Sequence, residues 1–332
     1  MAHLLEVTDL VTEFESDSGH IAAIDRVSFS VDAGEILGIV GESGCGKSVT
    51  SLSVMRLLGP GGRISSGSVR FDGQELTEMS DRELDRIRGS ELTMIFQDAL
   101  ASLNPVFTVG NQILESIHAH TPLRGAAARQ RAVEMLRKVG LPEPEKIMKK
   151  YPHTLSGGMR QRVVIAMALC CGARLVIADE PTTALDVTIQ AQIMQLLKSL
   201  QRETGMGVLL ITHDIGLIAQ MADRVLVMYA GQIVESASVE ELFASPAHPY
   251  TRALMASVPD IRDGKSRVLQ SIPGHVPEDY GSMTGCRFCS RCSEAEAACA
   301  EAQEMRPVCG RAEHTVRCRH AGGEKRQEEA KA

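Results

Sequence analysis

Residues Gly41 to Ser48 read Gly-Glu-Ser-Gly-Cys-Gly-Lys-Ser and follow directly on the apolar run Ile36-Leu37-Gly38-Ile39-Val40. A short run apolar on both faces is expected to be a buried strand. A strand, a glycine-rich turn and then the helix-forming stretch Val49 to Leu58 restrict the chain to an α/β fold with a phosphate-binding loop. The glycines let backbone N–H groups curl around phosphates. Lys47 adds a positive charge on the β/γ side, and the Ser48 hydroxyl stands at a helix N-terminus where it can hold Mg²⁺. Gly41, Glu42, Ser43, Gly44, Cys45, Gly46, Lys47, Ser48 and Val49 are therefore the expected nucleotide-binding segment. Cys45 lies beside Lys47 at the positive end of the helix, which predicts a thiol of lowered pKa that maleimide modifies readily and nucleotide protects.

The rest of the composition narrows what the nucleotide serves. The chain has 332 residues, enough for one large α/β domain and an appendage, and its 44% hydrophobic residues can supply the core. No apolar run approaches the ~20 residues that span a bilayer, and the N-terminus carries Glu6 and Asp9, so a cytoplasmic chain with at most peripheral membrane contact is expected. A formal charge of −7 and 3% aromatics argue against a nucleic-acid partner, which calls for a basic face and stacking platforms.

Short alternating segments from Leu4 to Val40 predict a small antiparallel sheet, followed by a strand pair around Ser68 to Phe71. The pattern turns helical from Thr108 to Cys171. Buried strands return at Leu175–Ala178 and Val208–Ile211, with the helical stretch Ile189 to Thr204 between them. The expected architecture is a P-loop NTPase (RecA-like) α/β core with an N-terminal antiparallel β subdomain, an inserted helical subdomain over about 98–172, and a small cysteine-rich C-terminal domain. The expected boundaries are 1–258 for the nucleotide-binding domain, 259–321 for the cysteine-rich domain, and 322–332 for a disordered tail.

Further segments follow the loop in order. Leu175 to Glu180 is an apolar strand ending in two acids, where Asp179 can orient a Mg²⁺ shell and Glu180 can polarise an attacking water. Leu155-Ser156-Gly157-Gly158-Met159-Arg160-Gln161 puts a serine and two glycines just before a long helix. Together with Gln97, Asp186 and His213, these segments resemble an ATP-binding-cassette (ABC) nucleotide-binding domain over Leu4 to Val258. The resemblance implies ATP and Mg²⁺ as ligands, with Ser48, Gln97 and Asp179 around the metal and Glu180, His213, Gln97 and Lys47 as catalytic residues. It also implies a head-to-tail pair of cassettes, in which Ser156, Gly157, Gly158, Gln161 and Asp186 close over ATP held by the other subunit. Thr183-Ala184-Leu185-Asp186 is similar to the family's interface-crossing loop, with Thr where Ser is usual. The aromatic residue on which the family stacks adenine has no clear counterpart. Phe14 is separated by a longer loop, and His20 or Ile21 stands near the expected position.

Longer matches point to a subfamily. Phe96-Gln97-Asp98-Ala99-Leu100-Ala101-Ser102-Leu103-Asn104-Pro105, His248-Pro249-Tyr250-Thr251-Arg252-Ala253-Leu254, and Ile272-Pro273-Gly274 leading into Gly285-Cys286-Arg287-Phe288 are similar to the ATPases of bacterial dipeptide, oligopeptide and nickel importers. By that resemblance the chain hydrolyses ATP at the cytoplasmic face of the membrane to drive peptide import, with nickel or another small solute as the alternative. It pairs with a second, non-identical ATPase beneath two permease subunits, and an extracytoplasmic binding protein delivers the substrate. A soluble, non-transport ABC ATPase is the alternative of a different class. Six of the nine cysteines fall between Cys286 and Cys318. A cytoplasmic setting disfavours disulfides, so this density suggests zinc or an iron–sulfur cluster, with unligated thiols as the remaining possibility. Spacing alone favours the triplet Cys286, Cys289 and Cys292. The resemblance instead implies a [4Fe–4S] cluster on Cys286, Cys292, Cys299 and Cys318, with Cys289 and Cys309 as extras.

Overall fold

The computed structural model of the protein describes residues 3–16, 19–183, 185–257, 272–277, 280–308 and 310–320. Ala184, Cys309, residues 258–271 and the tail expected at 322–332 lie outside them. The chain forms two compact units. One comprises Met1–Leu5, Ser30–Ile36 and Arg70–Ile211, and the other Glu6–Phe29, Leu37–Val69 and the chain from Thr212 onward.

In the first unit, the strands Leu92–Ile95, Leu175–Asp179 and Gly207–Thr212 run parallel, with Leu92 opposite Leu175 and Leu175 opposite Gly207. Leu175–Asp179 and Gly207–Thr212 are buried along their whole length, which is why hydropathy alone reveals them. The helix Val187–Thr204 lies between these two strands in the chain and ends on Gly205, whose φ of 70° suits a left-handed helix cap. The helices Val109–His120, Gly125–Lys138 and Gly157–Leu169 pack on one another, giving the helical stretch expected after Thr108.

In the second unit, Leu37 to Val40 pair in parallel with Arg224 to Val227. Arg224–Tyr229 then turns back onto Gln232–Ser238 through Ala230 and Gly231, both at positive φ as the mirror-image hairpin turns require. Gln232–Ser238 pairs antiparallel with Arg311–Val316, and that strand pairs with Arg306–Val308. Arg306–Val308 and Arg311–Val316 thus extend the sheet that carries the phosphate loop. Sequence periodicity missed this strand because its inward residues include His314, which is fully buried against Glu235 at 2.7 Å. A separate sheet lays Gly19–Val31, Leu5–Ser16 and Gly62–Phe71 side by side. The buried hydroxyls of Thr12 and Ser53, 2.8 Å apart, join it to the helix Lys47–Val54. That helix is shorter than the Val49 to Leu58 expected, because Arg56 takes a left-handed φ of 49°.

Candidate functional site

The phosphate loop of the second unit is anchored by its backbone and by Lys47. A Cβ on Gly41 would stand 2.1 Å from the Met228 carbonyl, so only glycine lets the strand turn here. Gly46 caps the helix Lys47–Val54 at φ 104°, which aims the helix N-terminus into the loop. Lys47 is 5% exposed, and its Nζ donates to the carbonyls of Gly41 at 2.8 Å and Glu42 at 2.9 Å. Ser48 and Val49 are half-buried, while Ser43 and Gly44 are exposed. Behind the loop, the Gly231 amide donates to the Cys45 carbonyl at 2.8 Å.

Cys45 corrects a sequence expectation. Its side chain is fully buried, and burial pushes the thiol above its ordinary value, against the opposing pull of Lys47. Desolvation of a thiolate outweighs a nearby cation when the sulfur has no water at all. The thiol is structural, not a reactive group poised in the site.

His213 is exposed, directly after the strand Gly207–Thr212. The neighbouring Asp214 caps the helix Ile215–Met221 by accepting from the Leu217 amide at 3.1 Å.

The acidic pair belongs to the first unit. Asp179 ends its strand buried, at 5% exposure. Glu180 follows with φ 46°, a left-handed backbone in a side-chain-bearing residue, held there by its amide donating to Ile211 O at 2.8 Å. Its carboxylate accepts from Gln97 Nε2 and from Thr183 Oγ1, each at 3.0 Å. Gln97 and Glu180, 83 residues apart, are therefore brought together. Thr183 is a carboxylate partner that sequence reasoning had read only as a variant of an interface loop.

Two helix N-termini also meet in this unit. Ser156 caps Gly157–Leu169 by accepting from the Met159 amide at 3.4 Å, and Asp186 caps Val187–Thr204 by accepting from the Ile189 amide at 3.0 Å. The glycines let the ends approach. A Cβ on Gly158 would lie 2.7 Å from an Ile189 methyl, and one on Gly157 3.2 Å from a Leu185 methyl. Ser156 and Asp186 are exposed, and Val187 beside them is 81% exposed. Gln161 stands apart from them, 3% exposed and facing the interior.

In the C-terminal region, Cys286, Cys289, Cys292, Cys299 and Cys318 share one neighbourhood, and the Cys286 amide donates to the Cys299 carbonyl at 2.8 Å. Burial pushes the Cys286 thiol up to about 11, and the Cys318, Cys299 and Cys289 sulfurs add to the rise. Burial also raises Cys289 and Cys292. Among the described residues, no three His, Cys, Asp or Glu side chains converge tightly enough to hold a single metal ion.

Comparisons with known proteins give the chain's family. The profile described as ABC transporter matches residues 24–183, and that described as oligopeptide/dipeptide transporter, C-terminal region, matches 234–299. The chain is 51% identical to the oligopeptide transport ATP-binding protein AppD of Bacillus subtilis, over 90% of this chain and 91% of that protein. It is 48% identical to the dipeptide transport ATP-binding protein DppD of Haemophilus influenzae, over 90% and 91%. Among solved structures, the ATP-binding cassette MJ0796, a dimer in a post-hydrolysis state bound to ADP and Pi, matches with a TM-score of 0.64 and 29% identity, over 71% of this chain and 98% of that one. The chain belongs to the ABC transporter family, as an ATP-binding cassette followed by the C-terminal region of the oligopeptide/dipeptide branch.

Proposed function

We propose that this chain binds and hydrolyses ATP to energise a membrane importer of di- and oligopeptides. Relatives of about half identity along nine-tenths of the chain, named for oligopeptide and dipeptide transport, support the peptide reading. The observation that carries the hydrolytic role is Glu180, a carboxylate on strained backbone gripped by Gln97 and Thr183. In this reading Lys47 and the loop amides of Gly41 to Val49 hold the phosphates. Glu180 accepts a proton from the attacking water, Gln97 orients that water, and His213 contacts the γ-phosphate. Ser48, Gln97 and Asp179 offer the oxygen donors that Mg²⁺ prefers, and the ion would neutralise charge on the phosphates. Ser156, Gly157, Gly158 and Asp186 serve the nucleotide of a partner cassette, while the buried Gln161 supports its helix from within, and the adenine platform stays unassigned. Purified with its permeases in vesicles, the wild type should couple ATP hydrolysis to uptake of labelled peptide. The Glu180→Gln variant should bind ATP and lose hydrolysis by about 10² or more, since the amide cannot take the proton. Peptide-independent nickel uptake would favour the alternative solute.

The partners in this reading are a second, non-identical cassette, two permeases, and indirectly an extracytoplasmic binding protein, with the chain peripheral at the cytoplasmic face. No helix among the described residues is long and apolar enough to cross a membrane. Phe96, Val106, Phe107 and Tyr151 are 42%, 71%, 50% and 42% exposed in the unit that carries Gln97, and their apolar surface suits a docking permease. The C-terminal sulfurs suit an iron–sulfur group by donor type, being thiols in one neighbourhood and largely out of solvent, although they do not converge on a single-ion site. Cys286, Cys292, Cys299 and Cys318 would hold it, and it would cross-link a segment with little core of its own. Anaerobically purified protein should contain iron and acid-labile sulfide in near-equal amounts, whereas zinc without sulfide would replace the cluster with a metal ion.

A further inference from the structure

The Cys286 to Cys292 segment carries two arginines that no nucleotide motif includes. Arg291, only 6% exposed, forks onto Glu42 of the phosphate loop, Nη1 to Oε2 at 2.6 Å and Nη2 to Oε1 at 2.9 Å. Its remaining donors reach the carbonyls of Pro273 at 2.7 Å and Gly274 at 3.2 Å. The guanidinium lies against the rings of Tyr229 and Phe288. Arg287, 3% exposed, donates to Asp25 at 2.7 Å and to the Ala230 carbonyl at 2.6 Å. Ala230 begins the hairpin turn whose next amide, that of Gly231, holds the Cys45 carbonyl. One arginine therefore grips the front of the phosphate loop, and the other braces the turn behind it.

We propose that Arg291 and Arg287 are positioning residues of the nucleotide site, which makes ATP affinity depend on the folded state of the cysteine-rich region. The inference rests on the reading that the loop from Gly41 binds nucleotide. Two physical effects act together. A paired fork fixes the Glu42 carboxylate and the loop backbone on either side of it, so the amides are held in place before phosphate arrives. It also neutralises a carboxylate that would otherwise stand beside a triphosphate and repel it. The Glu42 amide is secured as well, donating to the buried Tyr250 hydroxyl at 2.9 Å, so both the side chain and the backbone of this residue are tied to the C-terminal half of the unit. Coupling of this kind is reciprocal. What the C-terminal region does for nucleotide, nucleotide does for the C-terminal region.

The test uses the full chain and two readouts, the Kd of Mg-ATP and hydrogen exchange at the amides of Cys289, Arg291 and Cys292. Arg291→Gln should weaken Mg-ATP binding by about 10- to 100-fold, within the usual range of coupling between sites. Arg291→Lys keeps the charge without the fork and should fall between. In a Glu42→Gln background the further loss from Arg291→Gln should shrink to about threefold or less, because no carboxylate is left unpaired. Mg-ATP should slow exchange at the three amides in the wild type and leave it unchanged in Arg291→Gln. Arg319→Gln, which removes a pair with Glu296 inside the same region, should bind as the wild type does. The proposal is overturned if Arg291→Gln binds normally, if its loss is undiminished beside Glu42→Gln, or if Arg319→Gln loses as much. Should Arg291→Gln fail to fold, Glu42→Gln alone decides, since it must abolish the effect of Mg-ATP on exchange. A wild type that binds no ATP, or binds it equally well with Lys47→Ala, would instead sink the reading of the loop.

Discussion

The loop Gly41 to Val49 and the segments bearing Gln97, Ser156, Glu180 and Asp186 are built on opposite plans. In the loop, the anchoring groups are buried and committed. Lys47 is 5% exposed with two carbonyl partners, Cys45 is fully buried, and Gly41 is pressed against the Met228 carbonyl. In the other set, Gln97, Ser156 and Asp186 are exposed; Ser156 and Asp186 cap their own helices, and Gln97 donates to Glu180. A group that must bind the same phosphates on every cycle gains from being pre-organised by a core, because no ordering cost is left at binding. Groups that meet a partner surface, the role proposed for Ser156 and Asp186, must stay accessible. The price of keeping Glu180 ready is a left-handed backbone, a cost of about 1–3 kcal/mol that the Ile211 carbonyl and the two carboxylate donors help to offset.

The largest effect that could break this comparison is Lys47→Ala. Removing a buried, hydrogen-bonded cation costs about 2–5 kcal/mol, so Mg-ATP affinity should fall by at least about 30-fold in a calorimetric titration, with Glu180→Gln close to wild type in the same assay. If both variants lose binding equally, the division of labour between the two sets is wrong.

Next in size is a pH effect confined to the unit that carries the loop. His248 is buried, and burial lowers its pKa from 6.5 to about 4, with the Arg252 charge adding to the fall and the Glu235 and Glu294 charges opposing it. Its Nδ1 accepts from the Tyr250 amide at 3.0 Å, a bond that protonation destroys. Because the unfolded chain takes up this proton first, stability is full above pH 6.5 and is lost as pH falls from 6.5 toward 4, by about 3 kcal/mol. Urea melts at pH 7 and pH 4.5 should show a loss that His248→Gln diminishes. An equal loss in that variant would assign the pH dependence elsewhere.

The smallest effect concerns Cys45. In the native protein, maleimide should modify it slowly with or without Mg-ATP, and rapidly only after unfolding, as peptide mass mapping would show. Fast native labelling that Mg-ATP blocks would restore an exposed thiol and blur the contrast between the two regions.

Much of this molecule was legible in its sequence because the signals are local. The strand Leu175–Asp179 and the loop after Val40 are contiguous runs whose hydropathy and glycine spacing speak without reference to distant residues. The acidic pair at Asp179 and Glu180 followed from its place at a strand end. What escaped was long-range. No periodicity signals that Thr183 grips Glu180, that Arg311–Val316 extends the sheet next to Gln232–Ser238, or that the Cys45 side chain turns inward.

The amino-acid sequence by itself determined the phosphate loop, the order of the cassette segments and the presence of a thiol-rich end, because each depends on residue types at short, fixed spacing. Only the tertiary structure decided what those groups touch. Arg291 meets Glu42 across 249 residues and Arg287 meets Asp25 across 262, contacts that exist only once the chain has folded. Burial decided the chemistry in the same way. The same thiol beside the same lysine would ionise readily in water and is held neutral in the interior, because the cost of desolvating its charge is set by surroundings that the chain brings together only on folding.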